Sequence, residues 1–217
     1  MDDRPATVFD AYGTVFDVAA PAREVFDDPA TAARVATLWR GRQLEYAWTE
    51  GSLGRAPDFW SVTGRALRSA LELAGLGDDE VLHERLLAVY GHVRAYDDAA
   101  PLLAALRTRG HRLVIYSNAN QDMLERSVAA AGLDEHLDLV LSVEGSGVYK
   151  PDRRAYEHVC ARLGVEARTV RFVSSNAWDV AGAQHAGLDA VWVDRDGLTY
   201  PFGPPPTTVD SLGAVSA

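Results

Sequence analysis

Short apolar runs recur along the chain, and polar or glycine-containing turns bound each of them. Runs of this length are typical of buried strands, so the pattern predicts five strands, at residues 7–10, 113–117, 137–143, 170–174 and 190–194. Helical patterns separate the last four strands, over residues 122–131, 151–163 and 180–186. This alternation of strands and helices predicts βαβ units and a doubly wound parallel sheet, which is an α/β fold.

The gap between the first and second strands is much longer than the others. Its last part, residues 97–110, reads as a crossover helix, and helical patterns also cover residues 31–49, 59–73 and 78–90. We therefore expect a Rossmann-like core, formed by residues 1–19 and 91–217, with an all-helical cap inserted at residues 20–90. The proline-rich end of the chain, PFGPPPTTVDSLGAVSA, is predicted to lie extended over the core.

The composition is that of an ordinary globular protein, with 47% hydrophobic and 24% charged residues. The net charge of −10 argues against a nucleic-acid partner, because phosphate backbones bind clustered Lys and Arg. No apolar stretch approaches the length of a membrane span, and the acidic N-terminus does not resemble a signal peptide. The single cysteine, Cys160, excludes an internal disulfide and a cysteine-cluster metal site. We expect a soluble, cytoplasmic protein.

One basic residue differs from all the others. Of the 21 Lys and Arg residues only Lys150 is a lysine. A compact ammonium is a point charge with a tunable pKa, whereas a guanidinium is a wide fork that stays charged. Lys150 therefore indicates a position where arginine would not serve, although a solvated loop lysine remains an alternative.

Polar residues follow the predicted strands at their carboxyl ends, where parallel sheets bind ligands. Asp10 ends the first strand, and Lys150 follows the third. The other polar residues at these ends are Tyr12, Thr14, Ser117, Asn118, Ser174, Ser175, Asn176 and Asp179.

Four segments at these strand ends resemble the motifs of a known superfamily. They are FDAYGTVFD at residues 9–17, SNAN at 117–120, VYKPD at 148–152 and FVSSNAWD at 172–179. In order and spacing they resemble the four motifs of the haloacid dehalogenase superfamily. TLWRGRQLEYAW at residues 37–48, together with SSNAWD, further resembles the type II L-2-haloacid dehalogenases.

Two positions separate this chain from the phosphatases of that superfamily. The phosphatases carry a second aspartate two residues after the first, as a general acid, where this chain has Tyr12. They also carry an acidic residue where this chain has Ser175, and Mg²⁺ needs such oxygen ligands. A halide leaves without needing a proton, so both differences favour dehalogenation without metal or organic cofactor.

The resemblance implies a two-step hydrolysis of short L-2-haloalkanoic acids, with inversion, to 2-hydroxy acids and halide. Asp10 would be the nucleophile, and Lys150 would keep it ionised. Asp179, Ser174 and Asn176 would orient Lys150 and position the hydrolytic water, and Thr14 would hydrogen-bond around Asp10. Tyr156 matches a family tyrosine near the lysine.

The resemblance also implies a substrate pocket. Arg40 of the cap matches the halide-binding arginine of the family, although Arg42 and a plain surface role are alternatives. Ser117 and backbone amides near Ala11 and Tyr12 would bind the substrate carboxylate, and Asn118 could also contact the halide. The apolar wall would comprise Tyr12, Leu44, Phe59 and Trp178.

Gly41 and Ala119 depart from the residues expected in typical members, which bears on the substrate length and halogen preference rather than on the nucleophile. Two other functions remain open at this point: a capped Mg²⁺-dependent phosphatase or phosphonate hydrolase, and a non-catalytic small-anion-binding protein. Because related dehalogenases are commonly homodimers through their cap helices, we also expect a homodimer.

Overall fold

In the computed structural model, which describes residues 4–216, six strands form one sheet in which all neighbours run parallel. The sheet order is β3-β2-β1-β4-β5-β6. The strands are β1 (Ala6–Phe9), β2 (Arg112–Ser117), β3 (Leu139–Ser142), β4 (Val170–Ser174), β5 (Asp189–Val193) and β6 (Thr207–Val209).

Eight α-helices accompany the sheet within these residues, and five of them lie between β1 and β2: four form the helical insertion and the fifth leads back to β2. The inserted helices are α1 (Ala20–Val25), α2 (Pro29–Ser52), α3 (Phe59–Ala74) and α4 (Glu80–Tyr90). The remaining helices are α5 (Ala99–Thr108), α6 (Gln121–Ala130), α7 (Arg153–Leu163) and α8 (Ala177–His185). Aspartate side chains cap four N-termini by accepting backbone N–H groups: Asp28, Asp58, Asp79 and Asp152.

The inserted helices pack together through periodic apolar faces. On α2 the buried positions recur every fourth residue, at Val35, Trp39, Gln43 and Ala47. They face the buried stripe of α3, and the Trp39 indole donates to the Thr63 carbonyl at 3.0 Å. Within residues 4–216, no helix has the length and apolarity needed to span a membrane.

The order in which strands are added to the sheet changes side at β1, at the centre of the sheet. From β1, the connections lead to β2 and β3 on one side and to β4, β5 and β6 on the other. Phe9 at the end of β1 is paired with Ile115 of β2 and Val173 of β4, and all three side chains are fully buried. The crevice beyond these carboxyl ends is where such sheets bind ligands.

The α/β fold with its inserted helical cap is confirmed, and so are the five predicted strands, with bounds shifted by at most two residues. The sequence analysis did not predict β6 and α1, and it was wrong by two or three residues about bounds of α2, α4, α5, α7 and α8. Helix α2 begins at Pro29, where Asp28 caps it. It continues to Ser52 because no proline stands at Thr49 or in the next turn to end it. Pro151 precedes α7, which Asp152 caps, and α8 begins at Ala177.

The exact domain division stays a prediction, and its outermost residues, 1–3 and 217, lie outside the described part of the chain. The interpretation that the N-terminus does not resemble a signal peptide also stays a prediction, because the first three residues lie outside the described part.

Candidate active site

The loop after β1 presents Asp10 at the centre of the sheet edge. The carbonyl of Ala11 accepts the backbone N–H groups of Thr14, Val15 and Phe16, so the loop forms a tight turn. Gly13 makes this turn possible with a φ of 93°, a conformation that residues with a Cβ rarely adopt. Asp10 is thereby held with 5% of its surface exposed.

Three elements donate hydrogen bonds to the Asp10 carboxylate. Thr14 Oγ1 and Asn176 Nδ2 donate to its Oδ2, at 2.9 and 2.8 Å. Lys150 Nζ donates to its Oδ1 at 3.1 Å, and Ser174 Oγ lies 3.4 Å from Oδ2. Burial acts to raise the pKa of Asp10, but the charges of Lys150 and Arg40, together with the hydrogen bonds from Thr14 and Lys150, outweigh it and hold this pKa below its usual value. Asp10 is therefore ionised at neutral pH.

Lys150 is an almost completely buried cation, with 1% of its surface exposed. Its Nζ lies between two carboxylates, 3.1 Å from Asp10 Oδ1 and 2.9 Å from Asp179 Oδ2. Burial acts to lower the pKa of Lys150, and the two carboxylates overcome this effect and raise it. Asn118 Oδ1 accepts the backbone N–H of Lys150 at 2.8 Å, and Asn118 Nδ2 donates to the backbone carbonyl of Lys150 at 3.3 Å. These two hydrogen bonds fix the loop that carries the lysine.

Asp179, in the first turn of α8, is the fully buried partner of Lys150. The Tyr156 hydroxyl donates to its Oδ1 at 2.6 Å, while Lys150 donates to its Oδ2. Burial and the negative charge of Asp10 raise the pKa of Asp179 to about 6, against the opposing effects of Lys150 and Tyr156. Asp179 is the most basic carboxylate of the cluster and still accepts hydrogen bonds at neutral pH.

Arg40 reaches from the cap helix α2 to the core. Its Nη2 donates to the carbonyl of Tyr12 at 3.1 Å and lies 3.3 Å from Asn176 Oδ1. Its Nη1 donates to Gln43 Oε1 at 2.7 Å. Arg42, the alternative, instead forms an exposed pair with Glu45.

Asp10 and Arg40 both line one small, nearly filled pocket, which has about 10 Å³ of free volume. Seven of the eight predicted substrate-binding residues line it together with Asp10: Tyr12, Arg40, Leu44, Phe59, Ser117, Asn118 and Trp178. The eighth, Ala11, is fully buried, and its side chain is not among the lining groups. A larger open cleft of about 370 Å³ shares only Lys150 with the predicted site, and neither Asp10 nor Arg40 lines it, so we assign the chemistry to the smaller pocket.

Eight of the nine predicted catalytic residues thus form one hydrogen-bonded cluster, and the ninth, Ser117, lines the same pocket as Asp10. Two residues near it were missed by sequence reasoning. Gln43 is buried beside Arg40, and its place in the four-residue stripe of α2 was the available signal. Gly182 of α8 lies against Tyr156, so that a Cβ there would come within 2.8 Å of the tyrosine ring, and nothing in the sequence indicates this contact.

The donor set of the cluster offers little to a metal ion. Across residues 4–216, no three side chains of His, Cys, Asp or Glu come together in a way that could hold one. Lys150 already occupies the space between Asp10 and Asp179.

A sheet of this order, with an aspartate after β1, a lysine after β3 and a helical insertion, defines a class of hydrolases. The model of the haloacid dehalogenase-like hydrolases matches residues 5–187, and the chain belongs to this family. Its L-2-haloacid dehalogenase branch accounts for the similarities that follow, which confirms the resemblance found in the motifs.

The chain is 43% identical over 215 residues to (S)-2-haloacid dehalogenase 4A of Burkholderia cepacia, covering 98% of this chain and 93% of that protein. A crystal structure of a dehalogenase with an intermediate complex has a TM-score of 0.92 and 41% identity, covering 98% and 95% of the two chains. The L-2-haloacid dehalogenase of Xanthobacter autotrophicus with chloropropionic acid covalently bound has a TM-score of 0.86 and 36% identity, covering 97% and 96%.

Proposed function

We propose that this protein hydrolyses the carbon–halogen bond of short L-2-haloalkanoic acids and releases 2-hydroxy acids with inverted configuration. The observation that carries the proposal is the Asp10 carboxylate, ionised and buried, which lines a small, largely apolar pocket together with Arg40. The relative with covalently bound chloropropionic acid supports a reaction through an enzyme-bound ester.

In the first step Asp10 attacks the carbon that bears the halogen. Oδ2 accepts two short hydrogen bonds, from Thr14 and Asn176, which orient the carboxylate, so we assign the attack to Oδ1. An O–C bond forms as the carbon–halogen bond breaks, and the halide leaves with the bonding electrons on the opposite face. Arg40 lines the same pocket and would receive the anion, because a departing ion in an apolar pocket needs a cation.

In the second step water attacks the carbonyl carbon of the Asp10 ester. Asp179 accepts one proton of the water, and Lys150 stabilises the negative charge that develops on the ester oxygen. The bond between the Asp10 carbonyl carbon and Oδ1 then breaks, and Oδ1, now the alcohol oxygen of the product, takes up the proton that Asp179 accepted from the water. Asp10 retains the oxygen of the water and loses its remaining proton to solvent.

The proposal includes substrate binding by Ser117, whose Oγ accepts the Ala119 N–H at 3.2 Å and retains its own proton for a substrate carboxylate. It includes no metal, because the Lys150 ammonium supplies positive charge beside Asp10. A halide contact for Asn118 stays a prediction, since the Asn118 amide already bonds Lys150 on both sides.

The direct test is halide release from each enantiomer of 2-chloropropionate in the presence of EDTA. We expect release from the L-enantiomer alone, and we expect Asp10→Asn to abolish it once deamidation is excluded by mass spectrometry. A single turnover in H₂¹⁸O with excess enzyme should place the label in the Asp10 peptide and leave the product unlabelled. Phosphate release from p-nitrophenyl phosphate that requires Mg²⁺, with no halide release, would refute the proposal in favour of a phosphatase.

We further propose a homodimer through the cap. Several large apolar side chains of the cap are exposed, namely Trp48, Leu53, Leu73 and Val81. Sedimentation equilibrium should give twice the chain mass of 23.5 kDa, and a monomer at micromolar concentration would contradict this. A cytoplasmic location is also part of the proposal, and cell fractionation tests it.

A further inference from the structure

Gln43 is a buried polar residue that the proposed reaction does not use. It lies on α2 three residues after Arg40 and is only 1% exposed, within the otherwise apolar stripe of Val35, Trp39 and Ala47. Burying an amide costs free energy unless its hydrogen bonds are made. The partners of the Gln43 side chain therefore account for its presence there.

The hydrogen bonds around Gln43 allow one orientation of its amide. The Thr63 hydroxyl donates its only proton to the Phe59 carbonyl at 2.8 Å, so at its second contact it must accept. Gln43 Nε2 donates to this hydroxyl at 2.8 Å and lies 3.2 Å from the Tyr90 hydroxyl. The amide oxygen of Gln43 must then point the other way.

That oxygen accepts from Arg40 Nη1 at 2.7 Å, and Arg40 has only donors. The other terminal nitrogen of Arg40 bonds the Tyr12 carbonyl and faces Asn176. We propose that Gln43, anchored by Thr63 and Tyr90, is a positioning residue that fixes the Arg40 guanidinium at the side of the cavity where the halide leaves. The inference rests on the proposed function.

The chemistry explains an amide in this position. A neutral acceptor orients Arg40 and leaves its full positive charge for the departing halide. A carboxylate would orient the guanidinium equally well but would neutralise it, and an apolar side chain would leave Nη1 without its acceptor, so that Nη2 alone would hold the guanidinium. Tyr90 has a second contact with the site, since its ring stacks on the Tyr12 ring at 5.5 Å with an angle of 4°.

Two measurements on the full-length enzyme test the inference: bromide affinity of the substrate-free protein, from tryptophan fluorescence, and kcat/KM for 2-chloro- and 2-bromopropionate. In Gln43→Leu we expect both bromide affinity and kcat/KM to fall about tenfold, the scale of one hydrogen bond to a charged group. The loss in kcat/KM should be larger for the chloro substrate, because the smaller ion is stabilised more strongly. Hydrolysis of the ester, measured in single turnovers, should change less than twofold.

The anchors supply matched variants. Thr63→Val and Tyr90→Phe should each give part of the Gln43→Leu effect, and Tyr90→Phe keeps the ring that stacks on Tyr12. Thr63→Ser keeps the hydroxyl and should behave as the wild type. Gln43→Glu should weaken bromide binding although it keeps the acceptor, because it cancels the charge of Arg40.

The inference is wrong if Gln43→Leu retains bromide affinity and kcat/KM within twofold. It is also wrong if ester hydrolysis falls as much as halide release, because Gln43 would then hold the cap together rather than position Arg40. A wild-type protein that binds bromide but releases no halide from any haloacid would refute the proposed function alone, and bromide affinity of the variants would still decide the role of Gln43.

Discussion

Two opposed contributions to the free energy act on the Lys150 ammonium: the cost of removing it from water and its attraction to two carboxylates. Removing a cation and two carboxylates from water costs several kcal/mol for each ion, and their mutual attraction returns this only while all three are present. Lys150 is 1% exposed and Asp179 is fully buried, so neither can exchange its partner for water. Removal of the cation would leave two buried carboxylates without compensation.

We therefore expect Lys150→Met to lose activity and to lower the free energy of unfolding by about 3–5 kcal/mol at pH 8. Burial holds the pKa of Asp179 at about 6, above that of an unfolded aspartate, and Lys150 opposes this rise, so in its absence Asp179 binds a proton at still higher pH. A native state that binds the additional proton gains stability as the pH falls. Urea unfolding should show the deficit shrinking between pH 8 and pH 5.

The control is Arg94→Met, which removes an ion pair with Glu24 whose arginine side chain is 76% exposed. Exposed pairs contribute little, so this variant should stay within about 1 kcal/mol of the wild type at both pH values. A constant deficit for Lys150→Met from pH 8 to pH 5 would contradict the account of the buried charges.

Asp179 sets the expected acid limit of activity. Its pKa is raised to about 6, and protonation would remove the acceptor of Lys150 and the base for the hydrolytic water. The rate of ester hydrolysis should therefore fall as the pH decreases through about 6. The Tyr156 hydroxyl opposes the rise in this pKa by donating to the ionised form at 2.6 Å.

Tyr156→Phe removes that donor, so the pKa of Asp179 rises and the acid limb of kcat should move to higher pH. The hydrogen bond to a charged group is worth about 1.5–3 kcal/mol, which corresponds to a shift of about one pH unit or more. The measurement is kcat against pH from 4.5 to 9 with L-2-chloropropionate. An acid limb that stays in place while kcat falls at all pH values would show that Tyr156 acts without affecting Asp179.

At the scale of elements, the position of Tyr156 depends on the contact between α7 and α8. Tyr156 lies on α7, and its ring fits against Gly182 of α8, where a Cβ would come within 2.8 Å of ring carbons. Both residues are buried, so neither helix can yield locally. The absence of a side chain at Gly182 is what lets the hydroxyl reach Asp179.

Gly182→Ala should therefore reproduce the displaced acid limb of Tyr156→Phe, with a loss of stability of about 1–3 kcal/mol from overpacking. Gly64→Ala on α3 is the matched control, since its nearest contact is an ordinary 3.7 Å to a leucine side chain. This control should keep the wild-type profile and gain stability of up to about 1 kcal/mol from the helix preference of alanine. Normal pH dependence in Gly182→Ala would show that α8 can shift away from the ring.

The elements differ in how well the sequence predicts them. The central strands are buried on both faces and read as short apolar runs, so the pattern finds all five. By contrast, β6 has three residues, is mostly exposed and follows three prolines, so it owes its structure to pairing with β5 and not to its own pattern. The six-residue helix α1 is too short for periodicity to indicate.

In the site, the sequence predicts the residues that follow strand ends, but not those whose role depends on how helices pack. Asp10, Lys150 and Asp179 follow strand ends that a parallel sheet must bring together, so chain order suffices to group them. Gln43 and Gly182 act through neighbours on other helices, at Thr63, Tyr90 and Tyr156, and such pairings depend on helix packing that one sequence does not specify.

For the whole molecule, the net charge of −10 acts on a substrate that is itself an anion. The two cations of the site, Arg40 and Lys150, are matched by the carboxylates of Asp10 and Asp179, so the site adds no net charge of its own. The Debye length is about 30 Å at 0.01 M ionic strength, which spans the protein, and about 8 Å at 0.15 M. At low salt the approaching haloacid therefore experiences the repulsion of the entire chain.

We expect kcat/KM for L-2-chloropropionate to rise about threefold between 0.01 and 0.15 M ionic strength, because screening removes a repulsion of under 1 kcal/mol. Sodium sulfate should be used, since chloride is a product. The variant with both Glu135→Lys and Glu166→Lys, at positions whose side chains are 80% and 69% exposed, reduces the negative charge and should show a smaller rise. A kcat/KM that falls with salt would mean that the field of Arg40 at the cavity outweighs the charge of the whole chain.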